Sequence, residues 1–157
     1  MAQPRMMAMV FVAAMAAATP AAPQADRPAQ PAPVLDNTDL MDLMVKPAYD
    51  ALQLTAARPP ADRKAWADLY QRAARLAEIE NLLFFRTRAG DARQAEWAAR
   101  ASTARDASAA VAAAALLGLR SAQAADFDRV RGAFPAVAAA CTSCHRAFAR
   151  EAPVIKP

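Results

Sequence analysis

The sequence is poor in the residues that most catalytic and metal-binding sites require. Its 157 residues include one histidine, two cysteines and three glycines. A structural zinc ion needs four Cys or His ligands, so this chain falls one ligand short. The sequence has no Ser-His-Asp set, no paired catalytic carboxylates and no glycine-rich phosphate-binding loop. We therefore do not expect an enzyme.

Strand patterns are missing as well. Period-2 runs of β-branched residues are absent, alanine is abundant and glycine is scarce, which together predict an all-helical protein. Apolar periodicity and capping residues predict four helices, over residues 36–57, 62–89, 91–118 and 121–150, with a bend at Pro47. Short links between long helices favour an antiparallel four-helix bundle.

Charge excludes one further class of partner. The formal net charge is only +4, and no basic stripe with interleaved aromatic residues is present, so we expect no nucleic-acid binding.

The N-terminus has the composition of an export signal. Arg5 precedes an apolar run over residues 6–18, and small residues with two prolines follow. The run is too short to span a bilayer comfortably, although an uncleaved anchor is the alternative. We predict a secretory signal peptide over 1–25, cleaved within 21–25, a Pro-rich leader over 26–35, a four-helix domain over 36–152 and a short C-terminal tail over 153–157. The mature protein is then periplasmic.

The most informative motif is Cys141-Thr142-Ser143-Cys144-His145. C-x-x-C-H is typical of c-type haem attachment. Residues three and four apart share a helix face, so both thiols can bond to one porphyrin while the imidazole of His145 ligates its iron. A thioredoxin-like dithiol would need a βαβ context, which the helical flanks do not provide. A disulfide between the two cysteines would close only a very small loop and contribute little.

The sixth iron ligand is predicted to be a methionine. Of seven methionines, five lie within the first 15 residues, in the predicted signal, which leaves Met41 and Met44. Methionine is more often core filler than ligand, but His/Met ligation is common in cytochromes and no second histidine competes. We favour Met41, with Met44 as the alternative.

The chain resembles the class II c-type cytochromes, the cytochrome c prime superfamily, over most of residues 36–150. The resemblance rests on Phe127-Asp128-Arg129-Val130 through the C-x-x-C-H motif to Phe148, and on Asp39-Leu40-Met41 followed by Val45-Lys46-Pro47-Ala48. In that family the motif lies on the last helix of a four-helix bundle, and low-spin members carry a methionine at the position that Met41 occupies here.

The resemblance implies a function. We expect one covalently bound haem c enclosed in the bundle, one-electron transfer with soluble or membrane-bound redox partners, and a homodimer through the first two helices. The alternative is a high-spin, cytochrome c prime-like protein that binds nitric oxide or carbon monoxide at an open sixth site.

Overall fold

The computed structural model describes residues 32–86, 90–121 and 123–157, and no strand occurs within them. The predicted signal peptide and the start of the leader lie outside the described residues. The helices are α1 (Asn37–Leu40), a π-helical turn (Met41–Val45), α2 (Lys46–Ala56), α3 (Arg63–Asn81), a 3-10 turn (Leu82–Phe85), α4 (Gln94–Ser121) and α5 (Ala124–Phe148). Residues 37–56 run without a break, so the prediction of an antiparallel four-helix bundle is confirmed.

The first bundle helix begins at a predicted cap. The Asp36 carboxylate accepts a hydrogen bond from the backbone N–H of Asp39 at 2.8 Å. The disturbance at Pro47 takes the form of a π-helical turn directly before it, closed by the bond from Lys46 N–H to the Met41 carbonyl. A proline ring clashes with the carbonyl four residues earlier, here that of Leu43, and a wider turn relieves that clash.

Helix α3 also begins at its predicted cap but ends earlier than predicted. Asp62 accepts from the N–H of Ala65 at 2.7 Å. The α-helix stops at Asn81 instead of near residue 89, and the chain tightens into the 3-10 turn. A tertiary contact stabilises that turn, because the indole N–H of Trp97 on α4 donates to the Leu83 carbonyl at 2.7 Å.

The last two helices differ from the prediction at their ends. Helix α4 begins at Gln94 and continues past Gly118, which had been expected to end it, as far as Ser121. Helix α5 begins at Ala124 and ends at Phe148, so Arg150 lies beyond it. Pro135 is accommodated inside α5, which stays continuous up to the motif.

The core lies between the four bundle helices. Aromatic pairs join them: Tyr49 of α2 stacks on Phe134 of α5 with ring centroids 5.7 Å apart, and Trp66 of α3 meets Phe127 of α5 edge-on at 6.5 Å. The largest fully buried apolar side chains are Leu40, Leu52, Leu69, Leu76, Val111, Val130 and Val137. Over the described ranges, no helix combines the length and the hydrophobicity needed to cross a membrane.

Candidate functional site

The C-x-x-C-H motif forms the last turns of α5. Cys141, Cys144 and His145 lie three and four residues apart and are all half-buried, whereas Ser143 between them is exposed. Both cysteines are free. The two cysteines and the histidine therefore lie on one face of a continuous helix and are partly shielded from solvent.

Burial keeps both thiols protonated. It raises the pKa of Cys141 to about 12, with smaller contributions in the same direction from Glu80 and Cys144. Burial also raises the pKa of Cys144, against an opposing effect of Arg100. A redox-active dithiol needs an accessible cysteine with a lowered pKa. Neutral, inward-facing thiols do not fit that class of protein, but they fit addition of S–H to the vinyl groups of a porphyrin.

His145 lies beside the C-terminal tail. Its Nδ1 is 3.4 Å from the carbonyl oxygen of Pro153. A proton on Nδ1 faces this carbonyl, and the lone pair of Nε2 then remains for a metal, as in most histidine ligands.

The tail itself is attached to two helices. Thr142 Oγ1 accepts from the N–H of Ile155 at 3.0 Å, and Tyr49 Oη donates to the Lys156 carbonyl at 2.6 Å. Gln53 donates to the same carbonyl at 3.2 Å. The tail thus lies across α2 and α5 beside the motif, a placement that sequence reasoning missed because the contacts of Tyr49 and Gln53 join residues distant in the chain.

The two candidate methionines face different neighbours. Met41 and Met44 are both partly buried against the core. Met44 lines a cavity of about 290 Å³ between the first bundle helix and α3, together with Ala48 and Ile79. Cys141, Cys144 and His145 do not line this cavity.

The π-helical turn places Met41 on a different face of the first bundle helix from Met44. In an uninterrupted α-helix, residues seven apart share a face. A turn closed by an i→i+5 bond contains one more residue, so across it residues eight apart share a face. Met41 therefore lies on the face of Tyr49, and Leu40 on that of Ala48. Tyr49 stacks on α5, and its pKa is raised to about 12, chiefly by burial and next by Cys141.

Two buried polar side chains near the motif were not predicted as site residues. Glu80 of α3 is 1 % exposed and Ser108 of α4 is fully buried. Within the described residues, neither Glu80 carboxylate oxygen nor Ser108 Oγ has a hydrogen-bond partner. The signal in the sequence is an acidic residue that continues the apolar stripe Leu69, Ala73, Leu76, Ala77 of α3.

Arginines of α4 hold the outer side of the motif turn. Arg100 donates to the Ser143 carbonyl at 3.1 Å, and Arg93 donates to the Ala147 carbonyl at 3.0 Å while lying over the Phe148 ring, 4.1 Å from its centroid. Both also pair with Glu96. A groove of about 780 Å³ between α4, α5 and the tail is lined by these two arginines and by Arg146 and Arg150.

The residues fit a covalently attached haem. Two neutral thiols one turn apart could form the bonds to a porphyrin, and the adjacent imidazole could supply a nitrogen ligand to its iron. The unpartnered carboxyl of Glu80 lies close enough to Cys141 to influence the pKa of its thiol. An uncompensated buried carboxyl is unusual in a protein core, and the positive charge of a ferric haem bonded at Cys141 would compensate it.

Comparison with known proteins agrees with this geometry. The family model described as Cytochrome C' matches residues 33–149, which covers the whole bundle and the motif. Neither curated proteins nor solved structures gave a match. The chain belongs to the cytochrome C' family and is a haem-binding c-type cytochrome with a four-helix bundle fold.

Proposed function

We propose that the protein is a periplasmic mono-haem c-type cytochrome that carries one electron at a time and transforms no substrate itself. The observation that carries this proposal is the turn of α5 that presents two free thiols and one imidazole to the interior of a cytochrome C' bundle. Haem supplies the chemistry, a change of one electron at iron. Export would follow from the predicted signal peptide over 1–25.

Each motif residue has a separate role. Cys141 and Cys144 would hold one haem c through thioether bonds, and His145 would supply a nitrogen ligand to its iron. The Pro153 carbonyl orients the imidazole through Nδ1. The contacts of Arg93 and Arg100 with α5 fix the turn from outside.

Met41 is the proposed sixth ligand. Its support is the π-helical turn, which puts Met41 on the Tyr49 face that meets α5, whereas Met44 lies against α3. With both a thioether sulfur and an imidazole as ligands, a haem iron would be low-spin and have a raised reduction potential. Low-spin iron with both axial positions filled is suited to electron transfer because no ligand has to leave.

Two surfaces fit the proposed partners. The groove beside the motif presents four arginines and one carboxylate, so an acidic face of a soluble or membrane-bound redox partner is favoured there. On the first bundle helix, Leu43 is 64 % exposed and Leu54 is 78 % exposed. These two leucines support a homodimer through the first two bundle helices.

Optical spectra test the proposal. The exported, purified protein is measured oxidised and dithionite-reduced, with and without carbon monoxide. We expect sharp reduced bands, a red-end ferric band typical of sulfur–iron ligation, and no response to carbon monoxide. A broad high-spin spectrum that shifts with carbon monoxide would instead support the alternative, gas binding at an open sixth site. A colourless protein would contradict both.

A further inference from the structure

Three polar side chains from three helices converge in the core of the bundle. They are Glu80 of α3, Ser108 of α4 and Cys141 of α5. Glu80 and Ser108 are almost wholly buried, and among the described residues neither has a hydrogen-bond partner for its buried oxygen atoms. Buried polar groups are normally paired, so an unpaired carboxyl in a core calls for an explanation.

The carboxyl of Glu80 lies near the point of haem attachment. A charge on Glu80 raises the pKa of the Cys141 thiol, after burial itself, which is the larger cause. Once a porphyrin is bonded to that sulfur, Glu80 and the iron share one poorly solvated interior, where charges interact strongly. The charge on the iron and the charge on Glu80 must then depend on each other.

We propose that Glu80 is the acceptor of a redox-linked proton: its carboxylate takes up one proton from solvent when the haem iron takes up one electron, and releases that proton on reoxidation. The electron comes from a one-electron donor, which is the electrode in the test below. Iron goes from ferric to ferrous and Glu80 from carboxylate to carboxylic acid, so the net charge of the interior is unchanged. This inference rests on the proposed haem attachment at Cys141.

The pKa of Glu80 lies in a pH range where its protonation can depend on the oxidation state of the iron. Burial raises the pKa of Glu80 to about 7, and a hydrogen bond from the Ser108 hydroxyl would oppose this shift. Iron and porphyrin together carry one positive charge in the ferric state and none in the ferrous state. Ferric iron therefore lowers the pKa of Glu80 relative to ferrous iron. The proton is taken up in a window that ends near pH 7 and begins below it.

Within the described residues, burial and the Ser108 side chain account for the shifted pKa of Glu80. From α4 the facing group is Ser108, and Arg105 one turn earlier is bound to Asp106 at 2.7 Å. On α2, Tyr49 is a titratable group that the charge of Cys141 influences; its pKa is raised to about 12, so it stays neutral.

Most charged side chains of the neighbouring elements are engaged elsewhere, although the buried Nε of Arg86 has no partner among the described residues. On α2, Lys46 and Asp50 pair with each other and are largely exposed. Beyond the 3-10 turn, Arg86 donates to the Leu35 carbonyl. Glu80 is therefore the carboxyl to vary.

The test measures the midpoint potential of the purified haem protein against pH by spectroelectrochemistry. We expect the wild-type potential to fall as pH rises through the window, approaching about 59 mV for each tenfold change in proton activity, and to level off above it. Glu80→Gln should remove this slope and hold the potential at the high, protonated level. Ser108→Ala should move the window to higher pH, because it removes the opposing hydroxyl.

Glu78→Gln is the matched control. Glu78 lies two residues away on the same helix but is exposed and accepts from Asn81 at 3.0 Å, so its variant should keep the wild-type slope. An unchanged slope in Glu80→Gln would overturn the inference while leaving the haem protein intact. A preparation without haem would instead overturn the proposed attachment.

An infrared measurement on the wild type keeps the inference testable if Glu80→Gln does not fold. The reduced-minus-oxidised difference spectrum should contain the carbonyl band of a protonated carboxylic acid, shifted in D₂O. Absence of that band at every pH up to about 7 would contradict redox-linked protonation of Glu80.

Discussion

Gly118 and Trp66 are in direct contact across the α3–α4 interface. A Cβ atom added to Gly118 would lie 2.1 Å from Cζ3 of the Trp66 ring. Trp66 is 4 % exposed and also packs edge-on against Phe127 of α5. The glycine thus allows one indole to bridge three helices.

Gly118→Ala should destabilise the protein. The ring of Trp66 is enclosed and cannot move aside cheaply, so we expect a loss of about 1–3 kcal/mol in the free energy of unfolding. Gly132→Ala is the control, because no atom lies within 4 Å of its added Cβ; it should stabilise α5 by roughly 0.5–1 kcal/mol. Urea denaturation of both variants measures the difference, and equal effects would contradict the contact.

Met41→Ala and Met44→Ala should differ in their spectra. Loss of Met41 should remove the red-end ferric band, lower the reduction potential and allow carbon monoxide to bind. Met44→Ala should only enlarge the cavity against α3. If Met44→Ala loses the red-end band and Met41→Ala keeps it, Met44 is the ligand. If both variants keep the wild-type spectrum, neither methionine ligates iron.

Pro47→Ala tests the π-helical turn. Without the proline ring, an α-helical turn becomes accessible, and Met41 then rotates by about 100° away from the Tyr49 face. We expect a weaker sulfur–iron band and partial binding of carbon monoxide. Lys46→Ala is the control, since Lys46 is exposed and bound only to Asp50. A Pro47→Ala spectrum identical to the wild type would contradict this link between the turn and the ligand.

Tyr49→Phe should loosen the C-terminal tail. It removes the hydrogen bond to the Lys156 carbonyl, which is worth about 1 kcal/mol, so the Ile155 amide should exchange with solvent roughly fivefold faster. Because the raised pKa of Tyr49, about 12, keeps its phenol protonated, the wild-type bond should persist at mildly alkaline pH. Tyr70→Phe on α3 should leave the exchange unchanged; equal rates in both variants would refute the tail contact.

Features set by neighbouring residues were predictable from the sequence. The caps at Asp36 and Asp62 depend on a side chain and an amide three residues apart. The shared face of Cys141, Cys144 and His145 follows from helical spacing alone. For the same reason, composition and apolar periodicity were enough to predict a helical bundle.

Features that depend on residues distant in the chain could not be predicted from the sequence. The sequence predicts a helix end at Gly118 because a glycine often follows the last turn of a helix. In the structure, Gly118 instead leaves room for the ring of Trp66, which is far away in the chain. The early end of α3 depends on Trp97, and the position of the tail depends on Tyr49. Glu80 could be placed near an apolar stripe, but its burial could not be known before α4 and α5 were packed against it.

The central claim is that Cys141 and Cys144 hold one haem covalently, and an intact mass measurement of the unfolded protein tests it most directly. The protein is expressed with c-type haem maturation, exported, denatured in acid and weighed. The account predicts a mass one haem above that of the cleaved chain, retained after unfolding, and no haem mass for the double variant Cys141→Ala, Cys144→Ala. A wild-type chain that loses its haem on unfolding would contradict covalent attachment.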